Sequence, residues 1–203
     1  MKKKKRSPLK LPAILVGFLM IGLGFVFSLK SLVDPVPNSN NFAYEENSKE
    51  LSHEEFIQRL VPYAKELQEG YGILPSIIIG QAILESNWGT SELSSKYNNL
   101  FGIKAYGDQE KVKMDTQEFV NEQWITIKGE FRVYKSWEES MYSHTMLFVN
   151  GVDWSPEKYE QVLSAPDYSH AAEALQEAGY ATDPGYADKI KSVIETNQLY
   201  QYD

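Results

Sequence analysis

Two carboxylates have the residue types and settings that chemistry requires. Glu85 lies in AILESNWG, Ala82 to Gly89, at the end of the apolar run PSIIIGQAIL and between Leu84 and Trp88. Such neighbours disfavour the ionised form and raise the pKa, which suits a proton donor. Glu118, in DTQEF, sits in a segment whose alternation puts Thr116 and Glu118 on one face and Gln117 and Phe119 on the other. An acid on a helix facing a carboxylate on a strand across a cleft is the pair that glycoside hydrolysis uses. One protonates the leaving oxygen and the other supports attack at the anomeric carbon. Glu85 would be the donor and Glu118 the anion, with Glu122 and Glu130 as rivals for the second role. The gap between the two groups decides whether the second activates a water or attacks directly, and spacing in the chain does not fix it.

These residues need elements to position them. Ser52-His53-Glu54-Glu55 has capping-box spacing before an apolar series of Phe56, Leu60, Tyr63, Ala64 and Leu67. Pro62 predicts a kink there or a split into two short helices, and Tyr71-Gly72 predicts the end. Pro75 fits a first helical turn, opening a helix that runs to Glu85 and that Gly89 is placed to stop. KVKMDTQEF and QWITIKGEFRVY, joined by Val120-Asn121-Glu122, have the β-branched and aromatic content of a small antiparallel hairpin. Ser136-Trp137-Glu138-Glu139 gives a second capping box for a helix through Phe148. Two more follow, Ser169 to Ala178 ended by Gly179, and Tyr186 to Gln198. Helices with one β insertion make the chain α+β, mainly α.

Ahead of this domain, Leu11 to Leu29 is an uncharged run of 19 residues. As a helix it is about 28 Å long, enough to span a bilayer. The preceding MKKKKRSPLK carries six Lys/Arg, so the positive-inside rule leaves the N-terminus in the cytoplasm and the chain after Lys30 outside it. A cleaved signal peptide is the rival reading, but the apolar run exceeds the usual h-region and SLKSLVDP lacks an A-x-A-like site. The expected organisation is a basic cytoplasmic tail over 1–10, a transmembrane signal-anchor over 11–29, an extracytoplasmic linker over 30–50 rich in Pro, Asn and charge, and a catalytic domain over 51–203.

Without the tail's six cations, 14 Lys/Arg remain against 28 Asp/Glu, a net charge of −14. That argues against nucleic acid as a partner, and no block alternates aromatics with Lys/Arg. It also leaves room for a regulatory membrane protein, whose identity the sequence does not give. With no cysteine there is neither disulfide nor thiolate chemistry. His53 falls in a cap, and His144 and His170 lack a second His at i+3 or i+4. Asp108, Asp115, Asp153 and Asp183 do not make a calcium-loop spacing, so no metal and no cofactor is expected.

LPSIIIGQAILESNWG, NNLFGIKA, TQEF followed by GEFRVYKSWEES, and AGYATDPGYADKI together resemble the bacterial endo-β-N-acetylglucosaminidases of glycoside hydrolase family 73, in the lysozyme-like superfamily. The resemblance covers about Leu51 to Tyr200. It implies a lysozyme-like helical domain with a small β-hairpin lobe, and cleavage of the N-acetylglucosaminyl-β-1,4-N-acetylmuramic bond of peptidoglycan. Glu85 matches the family's catalytic acid and Glu118 the acidic residue of its strand, which lies on a mobile lobe. A substrate-assisted route through the sugar's own N-acetyl group stays open.

The resemblance also implies a cleft-lining tyrosine in Tyr180-Ala181-Thr182-Asp183-Pro184, where a ring can stack on a sugar. The alternative for Tyr180 is packing at a helix end, and Tyr186 on its helix is more often core than contact. Asn98-Asn99-Leu100-Phe101-Gly102 is expected to floor the cleft, with Phe101 structural and Asn99 either structural or in contact with substrate. Trp88 is either a saccharide platform or a wall against Glu85. A muramidase or lytic transglycosylase on the same fold, and a non-catalytic wall-binding scaffold, are the competing functions.

Overall fold

The computed structural model describes residues 51–120 and 123–203, with 117–120 and 123–124 by their backbone alone. The expected tail, membrane segment and linker, and the rival carboxylate Glu122, lie outside the described residues. Among the described residues no helix is long and apolar enough to cross a membrane.

α1 (His53–Tyr71) begins with the full capping box: Ser52 Oγ accepts the Glu55 N–H, and Glu55 accepts the Ser52 N–H at 2.8 Å. Pro62 does not divide it. The ring lies on the exposed side, while Phe56, Ile57, Leu60, Ala64 and Leu67 bury the opposite stripe. Gly72, left-handed at φ 84°, closes the helix.

α2 (Pro75–Ser86) is the central element. Every residue from Pro75 to Ile83 is buried, which agrees with a helix that has neighbours all round. It packs on α1, on α6 (Tyr168–Glu177), on α7 (Tyr186–Thr196) and on a closing 3-10 turn (Leu199–Tyr202). Gly80 permits the approach of α7, since a Cβ there would meet Ile194 at 3.1 Å. Leu74 at its N-cap offers no side-chain acceptor. Asp203 supplies one from the far end of the sequence, accepting from Ser76 N at 2.8 Å and Ser76 Oγ at 2.7 Å.

A short α3 (Glu92–Tyr97) follows, which periodicity does not reveal. β1 (Lys111–Val120) and β2 (Gln123–Arg132) pair antiparallel, with Thr116 opposite Ile127 and Glu118 opposite Ile125. The hairpin is tied to the segment that follows α3 by Ala105 N–H to Glu130 O and by Arg132 N–H to Ile103 O. α4 (Trp137–Asn150) starts with only half of the expected box. Ser136 accepts from Glu139 N–H, but the Glu139 carboxylate takes the Lys135 N–H at 2.7 Å instead of reaching back to Ser136. α5 (Glu160–Leu163) is a second short helix without a sequence signal. One core, running from Phe56 and Ile77 through Phe101, Phe148 and Tyr159 to Ile190, joins these helices.

Candidate active site

Glu85 lies in the last turn of α2, one turn after Gln81, so both project from the same side of the helix. Gln81 is fully buried. Its Nε2 donates to the Tyr186 hydroxyl at 2.9 Å, and that hydroxyl donates to Glu85 Oε1 at 2.9 Å. Glu85 itself is half-buried. Loss of solvation dominates its acidity and pushes the carboxyl from the ordinary 4.5 up to about 8, against the smaller opposing effects of the Tyr186 hydrogen bond and the Lys189 charge. A carboxyl in that state keeps its proton at neutral pH and can give it away.

The turn after Glu85 is held in an unusual backbone. Asn87, Trp88 and Gly89 have φ of 50°, 60° and 74° in succession. Gly89 was the expected stop, but the helix ends at Asn87, whose left-handed geometry makes it the C-cap. An aromatic at positive φ costs roughly 1–2 kcal/mol and persists only when its surroundings over-determine it. Here Ser86 does much of that: fully buried, it gives its hydroxyl proton to Ala82 O at 2.5 Å and accepts the Gly89 N–H at 2.7 Å. A Cβ on Gly89 would meet the Trp137 and Phe56 rings at 2.7 and 2.8 Å. The turn thus pulls Trp88 out of the helix, where one face of its indole lies against His53 at 3.6 Å with 4° between the planes. That ring face is occupied by protein.

Tyr180 is 1 % exposed and Tyr186 fully buried, with the two rings stacked at 5.6 Å. Tyr180 therefore sits behind Tyr186 as part of the interior, with no open face for a sugar in this conformation. Tyr186 is core and also touches the acid. Burial raises both phenols well above the usual range. Asn99 is 1 % exposed and fully engaged: Nδ2 donates to Ile103 O and Arg132 O, both at 2.8 Å, and Oδ1 accepts Ile103 N–H at 3.0 Å. Its amide is a bracket between the 98–103 turn and β2, with its bonding capacity spent on backbone. Phe101 is buried against His144. Glu118 is placed by its backbone in β1, two residues after the buried Thr116. Glu130, its rival, pairs with Lys111 at 2.8 Å and Lys113 at 3.2 Å, which lower its pKa and commit it to the sheet.

Residues 61–199 match the glucosaminidase family described as mannosyl-glycoprotein endo-beta-N-acetylglucosaminidase. The chain belongs to this family. The exo-glucosaminidase LytG of Bacillus subtilis (strain 168) is 42% identical over 204 residues, covering 100% of this chain and 70% of that protein. A probable N-acetylmuramidase of Lactococcus lactis subsp. cremoris is 37% identical over 155 residues, 75% of this chain, which spans only 35% of that relative's length. Among solved structures, the catalytic domain of the autolysin Auto from Listeria monocytogenes superposes with a TM-score of 0.68 at 34% identity, covering 81% of this chain and 100% of that one. This glucosaminidase-family chain is a glycoside hydrolase, and its mainly helical domain with a two-stranded sheet fits the lysozyme-like fold.

Several residues around Glu85 in this glucosaminidase domain escape reading along the sequence. Gln81 carries a usable signal, a lone amide inside an apolar helix one turn before a glutamate. Lys189 and Asp183, which pair with each other and bring a positive charge toward Glu85, are separated by a loop and give none. The His53 contact with Trp88 and the Asp203 contact with Ser76 link parts of the chain that no local pattern connects. Among the described residues no group of three or more His, Cys, Asp or Glu is placed to hold a metal ion.

Proposed function

We propose that the chain is a peptidoglycan hydrolase that cleaves the N-acetylglucosaminyl-β-1,4-N-acetylmuramic bond within glycan strands, an endo-β-N-acetylglucosaminidase. One observation carries the reading: a half-buried carboxyl, held at one oxygen by a buried tyrosine and shifted to about 8, is a proton donor prepared for a glycosidic oxygen. Glu85 protonates the leaving oxygen as the bond from the anomeric carbon to that oxygen breaks. Glu118, on the hairpin strand, is read as the second carboxylate, the group that would support attack at the anomeric carbon. Family membership and relatives named for glucosaminidase, N-acetylmuramidase and autolysin functions support peptidoglycan as substrate.

The apolar run Leu11 to Leu29 is read as a signal-anchor that keeps the domain on the outer side of the cytoplasmic membrane, within a short reach of newly made strands. N-terminal sequencing of the protein from membranes tests this, since a mature start near Asp34 would replace the anchor by a cleaved signal.

The function is tested by digesting purified peptidoglycan, reducing the fragments with borohydride and reading the new ends by mass spectrometry. Reduced N-acetylglucosamine ends are expected. Reduced N-acetylmuramic ends would instead make it a muramidase, 1,6-anhydro ends a lytic transglycosylase, and binding without new ends a scaffold. A second reading, exo cleavage, is favoured by the LytG relative. It would release disaccharides from one end while average strand length falls slowly, whereas the endo reading shortens strands at once.

A further inference from the structure

We propose that Gln81 is a positioning residue for the acid: its amide, donating to the Tyr186 hydroxyl, turns the phenolic proton onto Oε1 of Glu85 and leaves Oε2 to carry and deliver the transferable proton. The proposal rests on the reading of Glu85 as general acid. A phenol has one proton, and an amide nitrogen has hydrogens to give but no lone pair to accept with. With Gln81 Nε2 donating into the Tyr186 oxygen at 2.9 Å, that proton is directed to Glu85 Oε1, also 2.9 Å away. Oε1 is then the acceptor, which favours the better-accepting carbonyl oxygen at that position and puts the proton of the neutral acid on Oε2.

The rest of the surroundings keep the relay in this polarity. Tyr186 is immobilised by its stack on Tyr180 and by the Ala187 N–H, which Gln176 Oε1 accepts at 3.0 Å. The groups that act on Glu85 from elements packed against it are Tyr186 and Lys189 of α7 and Tyr180 of the preceding loop, and Lys189 is engaged by Asp183. Gln81 Oε1 and the Tyr180 hydroxyl are both buried without a well-formed hydrogen bond, although Tyr180 lies close enough to Gln81 to interact with it. A half-satisfied amide in an apolar helix is costly, and the orientation of the acid is a reason for it to be there. In turnover the Oε2–H bond breaks, the proton passes to the glycosidic oxygen as its bond to the anomeric carbon breaks, and the Glu85 carboxylate that remains keeps the Tyr186 hydrogen bond at Oε1.

Gln81→Met, close in size and without a donor, tests this in the full-length protein. The neutral Glu85 could then place its proton on Oε1 and donate to Tyr186, a misplaced and additionally stabilised acid. The expected result is a kcat about tenfold lower with KM unchanged, and an alkaline limb of the pH profile moved up by about half a unit. The Gln81→Met/Tyr186→Phe double variant should be within about twofold of Tyr186→Phe alone, because Gln81 acts through that hydroxyl. Effects that multiply, an unmoved limb, or a limb that moves down would overturn the proposal. If Gln81→Met does not fold, the ¹⁵N side-chain amide signal of Gln81 decides: it should titrate near pH 8 in the wild type and be flat in Glu85→Gln, and a flat wild-type signal overturns the assignment. Activity retained in Glu85→Gln would instead remove the reading of Glu85 itself, a different failure.

Discussion

Glu85→Gln should make the protein more stable, by an amount that grows with pH. The folded state holds the Glu85 proton up to about pH 8, while an ordinary glutamate releases it near 4.5. Between those values the unfolded chain ionises and the folded chain does not, so the wild type loses about 1.4 kcal/mol of stability per pH unit. The sign follows from the raised folded pKa: the contribution is whole below pH 4.5 and is gone once the pH has passed through 8. Gln has the same shape, cannot ionise, and still offers an amide oxygen to the Tyr186 hydroxyl. Its advantage is therefore near zero at pH 4 and about 3 kcal/mol at pH 7, an upper bound because Glu85 keeps some contact with solvent. Urea unfolding of both proteins at pH 4, 5.5, 7 and 8 measures the difference, with equal m-values showing that the same surface unfolds. Hydrolysis should be lost in the same variant. A stability difference that stays constant across these pH values, or that shrinks as pH rises, would refute the claim that Glu85 is held neutral by its burial.

Other substitutions address the parts that hold the acid in place. In the wild type, kcat/KM should fall above pH 8 as Glu85 of the free enzyme ionises, read from initial rates of end formation at low substrate. His144, fully buried with neither ring nitrogen partnered and its pKa pushed down to about 3, loses stability in the opposite direction, as pH falls below 6.5 toward 3. His144→Phe should gain about 1.4 kcal/mol per pH unit relative to wild type across that range, measured by the same unfolding series. Asp203→Ala removes the N-cap of α2 and should cost about 1 kcal/mol, a fall in Tm of about 2–4 °C by calorimetry. Asn99→Ala removes three part-buried hydrogen bonds and strands the Ile103 N–H, while the Ile103 carbonyl keeps the Arg132 N–H, and should cost about 2 kcal/mol in urea unfolding.

The place of Glu85 at the end of an apolar helix was legible because its signal is local. A glutamate closing an apolar run, Pro75 at a helix start and the Ser52 box are all contained within a few residues, and the structure builds α1 and α2 from them. The hairpin was legible for the same reason, through the β-branched and aromatic content of its two strands. What escaped is tertiary. α3 and α5 are too short for a period, Pro62 is tolerated because of which side of α1 it occupies, and the helix stop moved from Gly89 to Asn87 because buried Ser86 organises the turn. Asn99, whose sequence reading was divided, is committed to backbone by residues up to 33 positions away.

The same reasoning explains why the acid depends on parts of the chain far from it. α2 is gripped along one side by the stretch from Tyr186 to Asp203: Asp203 on Ser76, Ile194 on Gly80, and Tyr186 on both Gln81 and Glu85. The three hydrogen-bonded pairs are separated by 127, 105 and 101 residues, so none of them forms until α7 and the closing turn have docked. Without that docking the twelve-residue α2 has no partner for its buried face, and its glutamate would be an ordinary solvated one. Burial by the α7 side of the domain raises its pKa, and the Tyr186 hydroxyl selects which oxygen is engaged. The chemistry of Glu85 is thus a property of the α2–α7 interface, and changes that loosen that interface should lower the alkaline limb toward the ordinary carboxylate range even when they leave every residue of α2 in place.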